Sequence, residues 1–178
     1  MATRLAIVGL LTALALAAGT FAGCGGDGGG DSSDLTLDEY FAELEERSAE
    51  FEERGRQAED DLDFVNAGTE AEQAELAVEF FTLAVTIYED FVSELDDLNP
   101  PAEVQSVHED AVSNGRTAVE RLRLLLDLVG DAETEADLDA ALEEVSPADP
   151  EFEAFSAACV ELQGIADERG IDVDLQCG

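Results

Sequence analysis

Several residue types that carry chemistry are scarce in this sequence. Lysine is absent, since all eight basic residues are arginines, and there are only one histidine and three cysteines. Cys159 and Cys177, the two cysteines near the C-terminus, have no neighbouring histidine and fall short of the four ligands of a zinc site. No C-x-x-C-H segment is present for covalent haem. The sequence also lacks the G-x-S-x-G, Walker-type and G-x-G-x-x-G patterns. We therefore expect no catalytic residues, no cofactor and no built metal site, and a protein that is not an enzyme.

The lone histidine, His108, is the residue that most invites a catalytic interpretation. It stands on an apolar helical stripe between Val104 and Ala111. Di-iron helical bundles carry Glu-x-x-His motifs on two helices, but Gln105 occupies the position three residues before His108. We therefore expect His108 to be a core residue with its hydrogen bonds satisfied.

Acidic residues dominate the charge of the chain. There are 44 of them against eight arginines, which gives a formal net charge of −36. Such a surface repels nucleic acid and bare anionic membranes, whereas basic proteins and divalent cations stay open as partners. The densest acidic run, Glu59-Asp60-Asp61 with Asp63, lacks the loop pattern of a calcium site, so we expect only weak, nonspecific cation binding there. A salty habitat or the codon bias of a GC-rich genome accounts for the acidity equally well.

The N-terminal residues have the pattern of an export signal. A single cation, Arg4, precedes an uncharged apolar run over residues 5–20, which is too short to be a comfortable membrane span. Small residues then lead to a cysteine in the segment Phe21-Ala22-Gly23-Cys24. This arrangement is typical of a secretory signal that is removed from the mature protein.

The same segment resembles the lipobox of bacterial lipoproteins, in which the signal is cut before the cysteine and its thiol receives a diacylglycerol. Ala22, Gly23 and Cys24 fit that pattern, and Phe21 departs from the usual aliphatic residue. The resemblance implies a cleaved signal over residues 1–23, a lipidated Cys24, and a protein anchored at the extracytoplasmic face of the cell membrane. An ordinary secretory signal with a chance cysteine is the alternative. Residues 24–34 are rich in Gly, Asp and Ser and have no apolar side chain to bury, so we expect a flexible tether.

Residues 35–178 are expected to form one acidic, all-α domain. Capping boxes at Thr36 and Thr69 and apolar residues at helical spacing predict helices over the following segments: Leu37–Val65, Thr69–Asn99, Pro100–Val129, Thr134–Val145 and Pro150–Arg169. The first three have similar lengths and short connections, which favours antiparallel neighbours. We therefore predict an up-down-up-down four-helix bundle whose fourth helix is broken by the proline-containing segment 146–150.

The C-terminal residues predict an extended tail that returns along the last helix. Gly170 is placed to end that helix, and alternating apolar residues follow it at Ile171, Val173 and Leu175. Eleven helical steps from Cys159 cover about 16 Å, and seven extended residues can return about 23 Å. With Cys24 lipidated, Cys159 and Cys177 form an even pair in an oxidising compartment. We predict a Cys159–Cys177 disulfide that latches the tail.

One uncharged stretch of the second predicted helix, residues 80–88, allows two interpretations. Beyond its main apolar face it has a second stripe formed by Phe81, Val85, Tyr88 and Val92. This stripe is either core that faces a second neighbouring helix or a ligand or partner surface in a patch or pocket. Small residues on the first and third helices, Ser48, Gly55, Ala58, Ala111, Gly115 and Ala118, either allow close helix approach or leave room for a ligand.

Two functional hypotheses follow from these patterns. The first is a membrane-anchored, non-catalytic surface lipoprotein that acts in protein interaction or envelope organisation. The alternative is an extracytoplasmic helical bundle that binds a small ligand or a cation for an uptake or sensing system.

Overall fold

The computed structural model describes residues 35–62, 69–132, 134–145 and 149–177. These residues form a helical bundle without a strand in the described ranges, so the all-α prediction is confirmed. The helices are α1 (Leu37–Asp61), α2 (Glu70–Asp96), α3 (Gln105–Gly130), α4 (Glu135–Glu144) and α5 (Pro150–Arg169). The predicted signal, the lipobox with Cys24 and the tether lie outside the described residues. Of the described helices, none has the length and apolar character that crossing a membrane requires.

Capping boxes begin three of the helices. At α1 the Glu39 amide donates to Thr36 Oγ1 at 3.3 Å, and the Thr36 amide donates back to Glu39 Oε2 at 3.0 Å. Thr69 with Glu72 and Thr134 with Asp137 repeat the arrangement at α2 and α4. Each such cap satisfies backbone donors that the first turn leaves free, which stabilises a helix by about 1 kcal/mol.

The predicted end of the first helix was wrong. Leu62 already has an extended backbone, with φ −101° and ψ 107°, and α1 stops at Asp61; Val65, the predicted last residue, lies outside the described ranges. The last turn of α1 holds Glu59, Asp60 and Asp61 and no basic residue. Negative charge is unfavourable beside the free carbonyl groups at a helix C-terminus, so this acidic run ends the helix although the apolar pattern continues.

The predicted start of the third helix was also wrong. Residues 102–104 form a turn, in which the Val104 amide donates to the Pro101 carbonyl at 3.0 Å, and α3 begins at Gln105. A residue that precedes proline is disfavoured in the helical conformation, and Pro100 precedes Pro101. Val104 keeps its predicted burial with no exposed surface.

The two short helices and the tail follow the sequence pattern. Thr134 and Val145 flank α4, and α5 runs from Pro150 to Arg169 as predicted. Gly170 adopts a left-handed conformation with φ 72°, and its amide and that of Ile171 donate to the Asp167 and Ala166 carbonyls. This Schellman motif turns the chain back along α5. Residues 171–177 then run without regular secondary structure.

Helix α2 lies between α1 and α3, and α3 also packs against α4 and α5. Among the described helices, α1 and α5 do not pack closely against each other. One buried cluster joins α1, α2, α3, α5 and the tail, with Phe41, Phe91 and Leu175 among its members. A second cluster joins α2 and α3 to α4, with Phe81 and Leu125 among its members. The pairs α1–α2, α2–α3 and α3–α5 therefore pack side by side around the core, whereas α1 and α5 do not.

Arginines of the flanking helices neutralise part of α2, which carries no basic residue. Arg54 of α1 pairs with Asp90, and Arg116 and Arg123 of α3 pair with Asp96 and Glu89. Exposed ion pairs of this kind contribute at most about 1 kcal/mol each. These ion pairs place the acidic residues of α2 opposite arginines of both neighbouring helices, α1 and α3.

Candidate functional site

A cavity of about 510 Å³ lies between α1, α2, α3, α5 and the tail. Its volume falls within the range of small-molecule sites, about 300 to 1,000 Å³. Most of its wall is apolar, and aromatic rings from three helices contribute to it: Phe51, Phe80, Phe81, Tyr88, Phe91, Phe152 and Phe155. The cavity occupies the side of the bundle where α1 and α5 diverge.

Four of these rings pack into one aromatic cluster. Phe51 of α1 stacks on Phe91 with centroids 4.6 Å apart and meets Tyr88 edge to face at 4.9 Å. Phe155 of α5 meets Phe91 edge to face at 6.3 Å. These geometries are the favourable ones for ring quadrupoles, so the cluster is a packed wall that joins the two diverging helices through α2.

Polar groups lie at a few positions of the cavity wall. Glu153 and Ser156 are exposed and show where the cavity reaches solvent, whereas Ser48 is buried. Burial raises the pKa of Glu52, with a further rise from the Asp174 carboxylate and an opposing effect of Arg56. Burial also raises the pKa of Tyr88 to about 12, so its hydroxyl is neutral at physiological pH. The wall therefore offers two carboxyl groups and several hydroxyl groups around an apolar interior.

The C-terminal tail spans the gap between α5 and α1. The sulfur atoms of Cys159 and Cys177, the predicted pair, lie at disulfide distance, and their Cα atoms are 5.4 Å apart. The Gln163 side chain of α5 accepts from the Leu175 amide at 2.9 Å and donates to the Val173 carbonyl at 3.0 Å. On the other side, the Asp174 amide donates to the α1 residue Glu45 at 2.9 Å. The tail and the disulfide thus form part of the cavity wall.

The residues of the second apolar stripe of α2 divide between cavity and core. Phe81 and Tyr88 line the cavity, and Phe81 has no exposed surface. Val85 and Val92 are 7% and 4% exposed and contribute to the packed core. Phe81, Val85 and Val92 are therefore buried in the core, Tyr88 is half-buried, and Phe81 and Tyr88 also face the cavity. Whether this stripe also serves as a ligand or partner surface stays a prediction.

The small residues allow close helix packing at one position and line cavities at others. A Cβ at Gly115 would lie 2.7 Å from Val92 Cγ2 and 3.1 Å from Phe155 Cε2, so glycine allows the close approach of helices there. Ser48 and Ala111 line the large cavity. Gly55 lines a smaller neighbouring cavity of about 50 Å³, and Ala58 and Ala118 are buried.

His108 lies apart from the cavity wall. It is 5% exposed, and its Nδ1 lies 3.0 Å from the Tyr40 hydroxyl. Burial lowers the pKa of His108, against the opposing charges of Asp96 and Glu109, and burial raises the pKa of Tyr40. Both shifts favour the neutral forms, so a protonated phenol and a neutral imidazole share this hydrogen bond. His108 is a hydrogen-bonded core residue.

Acidic residues do not converge on a metal position in the described part of the chain. No group of three or more His, Cys, Asp or Glu side chains there is arranged to hold a metal ion. Glu59, Asp60 and Asp61 lie in the last turn of α1, where successive side chains diverge around the helix. Asp63 lies outside the described residues.

The sequence left a pocket open as one alternative but did not give its size or the contribution of α5 and the tail to its wall. The stripe of α5 that includes Phe152 and Phe155 was visible as an apolar pattern, but periodicity does not report the distance between two helices. Glu52 and Glu153 had no distinguishing signal among 44 acidic residues. No protein-family model, no curated protein and no solved structure matches this chain.

Proposed function

We propose that this protein is a non-catalytic, membrane-anchored binding protein that holds a small apolar ligand at the extracytoplasmic face of the membrane. The observation that carries the proposal is the cavity of about 510 Å³ with its aromatic wall. A well-packed bundle leaves few voids larger than a water molecule, so a space of this size calls for an occupant. A role in protein interaction or envelope organisation stays a prediction for the same anchored domain.

The bundle topology belongs to this proposal. The pairs α1–α2, α2–α3 and α3–α5 are in contact, and short connections join the long helices. These contacts support an up-down-up-down four-helix arrangement in which α4 and α5 together form a broken fourth helix. A fourth helix that is broken and set apart from α1 leaves the interior incompletely filled. In this arrangement the disulfide latches the tail across the gap.

The anchor completes the proposal. A lipidated Cys24 followed by the tether over residues 24–34 would place the domain close to the membrane, and two or three acyl chains hold a protein firmly where one does not. The first described residue, Leu35, donates from its amide to the Asn99 carbonyl at 3.1 Å. The tether would therefore join the bundle at the connection between α2 and α3.

Photoaffinity labelling tests the proposed binding function directly. The full chain, as its cells process it, is placed in lipid nanodiscs and irradiated with an uncharged alkyl diazirine probe, and the labelled peptides are identified by mass spectrometry. We expect saturable labelling within residues 44–52, 80–95 and 152–162, which contribute to the cavity wall. A phenylalanine at Ala84, a half-buried wall residue, should fill the space and reduce the labelling.

A matched variant separates this effect from a general change in the protein. Ala42 is exposed on α1 and does not line the cavity, so Ala42→Phe should leave the labelling pattern unchanged. Labelling scattered over the surface, or labelling of the wall that Ala84→Phe does not reduce in a folded protein, would show that the probe is not held inside the cavity and would refute the proposal.

A further inference from the structure

The charges of the cavity wall all have one sign. Glu52 and Glu153 contribute carboxyl groups, and the described residues of the wall include no arginine, lysine or histidine. An anionic group placed in this cavity would have no cation to pair with, and burying an unpaired charge is costly. The wall therefore disfavours fatty acids, phosphates and other anions as ligands.

The aromatic cluster adds a reason for a positive group. Ring faces carry negative potential and attract ammonium groups, and aromatic sites recognise quaternary ammonium ligands in this way. Phe51 of the cluster adjoins Glu52 in α1, and Phe155 lies two residues after Glu153 in α5. Each of the two diverging helices thus brings a ring and a carboxyl group to the same cavity.

The nearby charges leave the potential at this cavity negative. Arg56 stands one helical turn beyond Glu52 and lowers the pKa of that carboxyl more than Asp174 raises it, but its guanidinium also pairs with Glu53, so the carboxylates here outnumber the one cation. Asp174 of the tail adds a further carboxylate near Glu52. Two wall carboxyl groups are too few for a calcium ion, which takes six to eight oxygen ligands, so a bare metal ion does not fit the wall. An organic cation uses both the carboxyl groups and the rings.

We infer that the cavity selects hydrophobic cations, in which an apolar body fills the aromatic interior and an ammonium group lies beside Glu52 and Glu153. This inference rests on the proposed function, namely that the cavity binds a small ligand. The net charge of −36 attracts any cation to the protein surface. The selective part of the recognition is the combination of the apolar body with these two glutamates.

Competition against the photoaffinity probe tests the inference. The full chain in nanodiscs is labelled with the uncharged probe in the presence of decyltrimethylammonium, decanol or decanoate, with partition measured on empty nanodiscs. We expect the cation to displace the probe at a free concentration about tenfold below that of decanol, since one such charged contact contributes about this factor. Decanoate should compete least. Tetramethylammonium, which has the charge without the apolar body, should not compete in the same range.

Paired charge removals locate the effect. The double variant Glu52→Gln/Glu153→Gln should remove the advantage of the cation over decanol. Glu46 and Glu161 are exposed and do not line the cavity, so Glu46→Gln/Glu161→Gln makes the same change in net charge and should preserve the advantage.

The outcomes distinguish the two proposals. Equal competition by the cation and decanol, or an equal loss of the advantage in both double variants, refutes cation selectivity while the binding function stands. If the probe does not label the cavity wall at all, the binding function itself is refuted. Circular dichroism of each variant confirms that its helices are retained, so a loss of competition is not read from an unfolded protein.

Discussion

Replacing Gly115 by alanine is a direct test of the packing at the centre of the bundle. The new Cβ would lie 2.7 Å from Val92 Cγ2, and a valine in a helix has one strongly preferred rotamer, so this contact cannot relax by side-chain rotation. Overpacking of a core costs about 1–3 kcal/mol, whereas alanine in place of glycine favours a helix by about 1 kcal/mol. The Phe155 ring borders the cavity and can move away from the new methyl group. We therefore take an overpacking cost in the middle of this range, about 2 kcal/mol. We expect a net loss of about 1 kcal/mol in the free energy of unfolding.

Urea unfolding followed by circular dichroism measures this change, and two further variants complete the test. Gly164 has open space around its Cβ position, so Gly164→Ala should stabilise the protein by up to about 1 kcal/mol through helix propensity alone. Val92→Ala removes the clashing methyl group. A Gly115→Ala/Val92→Ala protein should therefore be more stable than the sum of the two single changes by about 1 kcal/mol. If Gly115→Ala is as stabilising as Gly164→Ala, α2 and α3 do not approach each other closely at Gly115.

Three other predictions concern the latch, the buried histidine and the surface charge. Cys159→Ser/Cys177→Ser opens a loop of 18 residues and should lower the free energy of unfolding by about 3 kcal/mol in urea; an unchanged midpoint would mean that the tail is not held by the disulfide. Burial lowers the pKa of His108, so the unfolded chain binds more protons and stability should fall as pH drops through about 6.5, the unfolded pKa. Stability curves of wild type and His108→Gln that run parallel between pH 8 and pH 5 would contradict this. Screening of the acidic residues by sodium chloride should raise the melting temperature, and a flat response from low to molar salt would exclude self-repulsion as a significant cost.

Local signals predicted local structure well. Thr36 and Thr69 mark helix starts because their capping hydrogen bonds form within one turn, and Gly170 marks a helix end because its conformation is disfavoured for other residues. The apolar pattern misplaced the end of α1 because periodicity does not include the effect of an acidic last turn. It also misplaced the start of α3, because Val104 fits the apolar pattern of the helix but belongs to the turn that precedes it.

Among long-range features, the sequence predicted the cysteine pair but not the distances between helices. The Cys159–Cys177 pairing was predictable because chain length alone limits where a seven-residue tail can reach. The cavity depends instead on how far apart α1 and α5 lie, which the apolar pattern of neither helix reports. Residues such as Phe51 and Phe155 have the same apolar signature whether they fill a core or border an empty space.

The hydrogen bond between Leu35 and Asn99 has a consequence for orientation at a membrane. If the chain is anchored through Cys24, the connection between α2 and α3 becomes the membrane-proximal end of the domain, within the tether's root-mean-square reach of roughly 17 Å. Helix α3 has 26 residues and leads away from that end for about 39 Å, so α4 becomes the distal tip. The cavity wall extends from Leu95 towards the proximal end to Val145 beside the tip. One end of the cavity would then lie near the end of the domain that the tether joins, and the other end would lie beside α4.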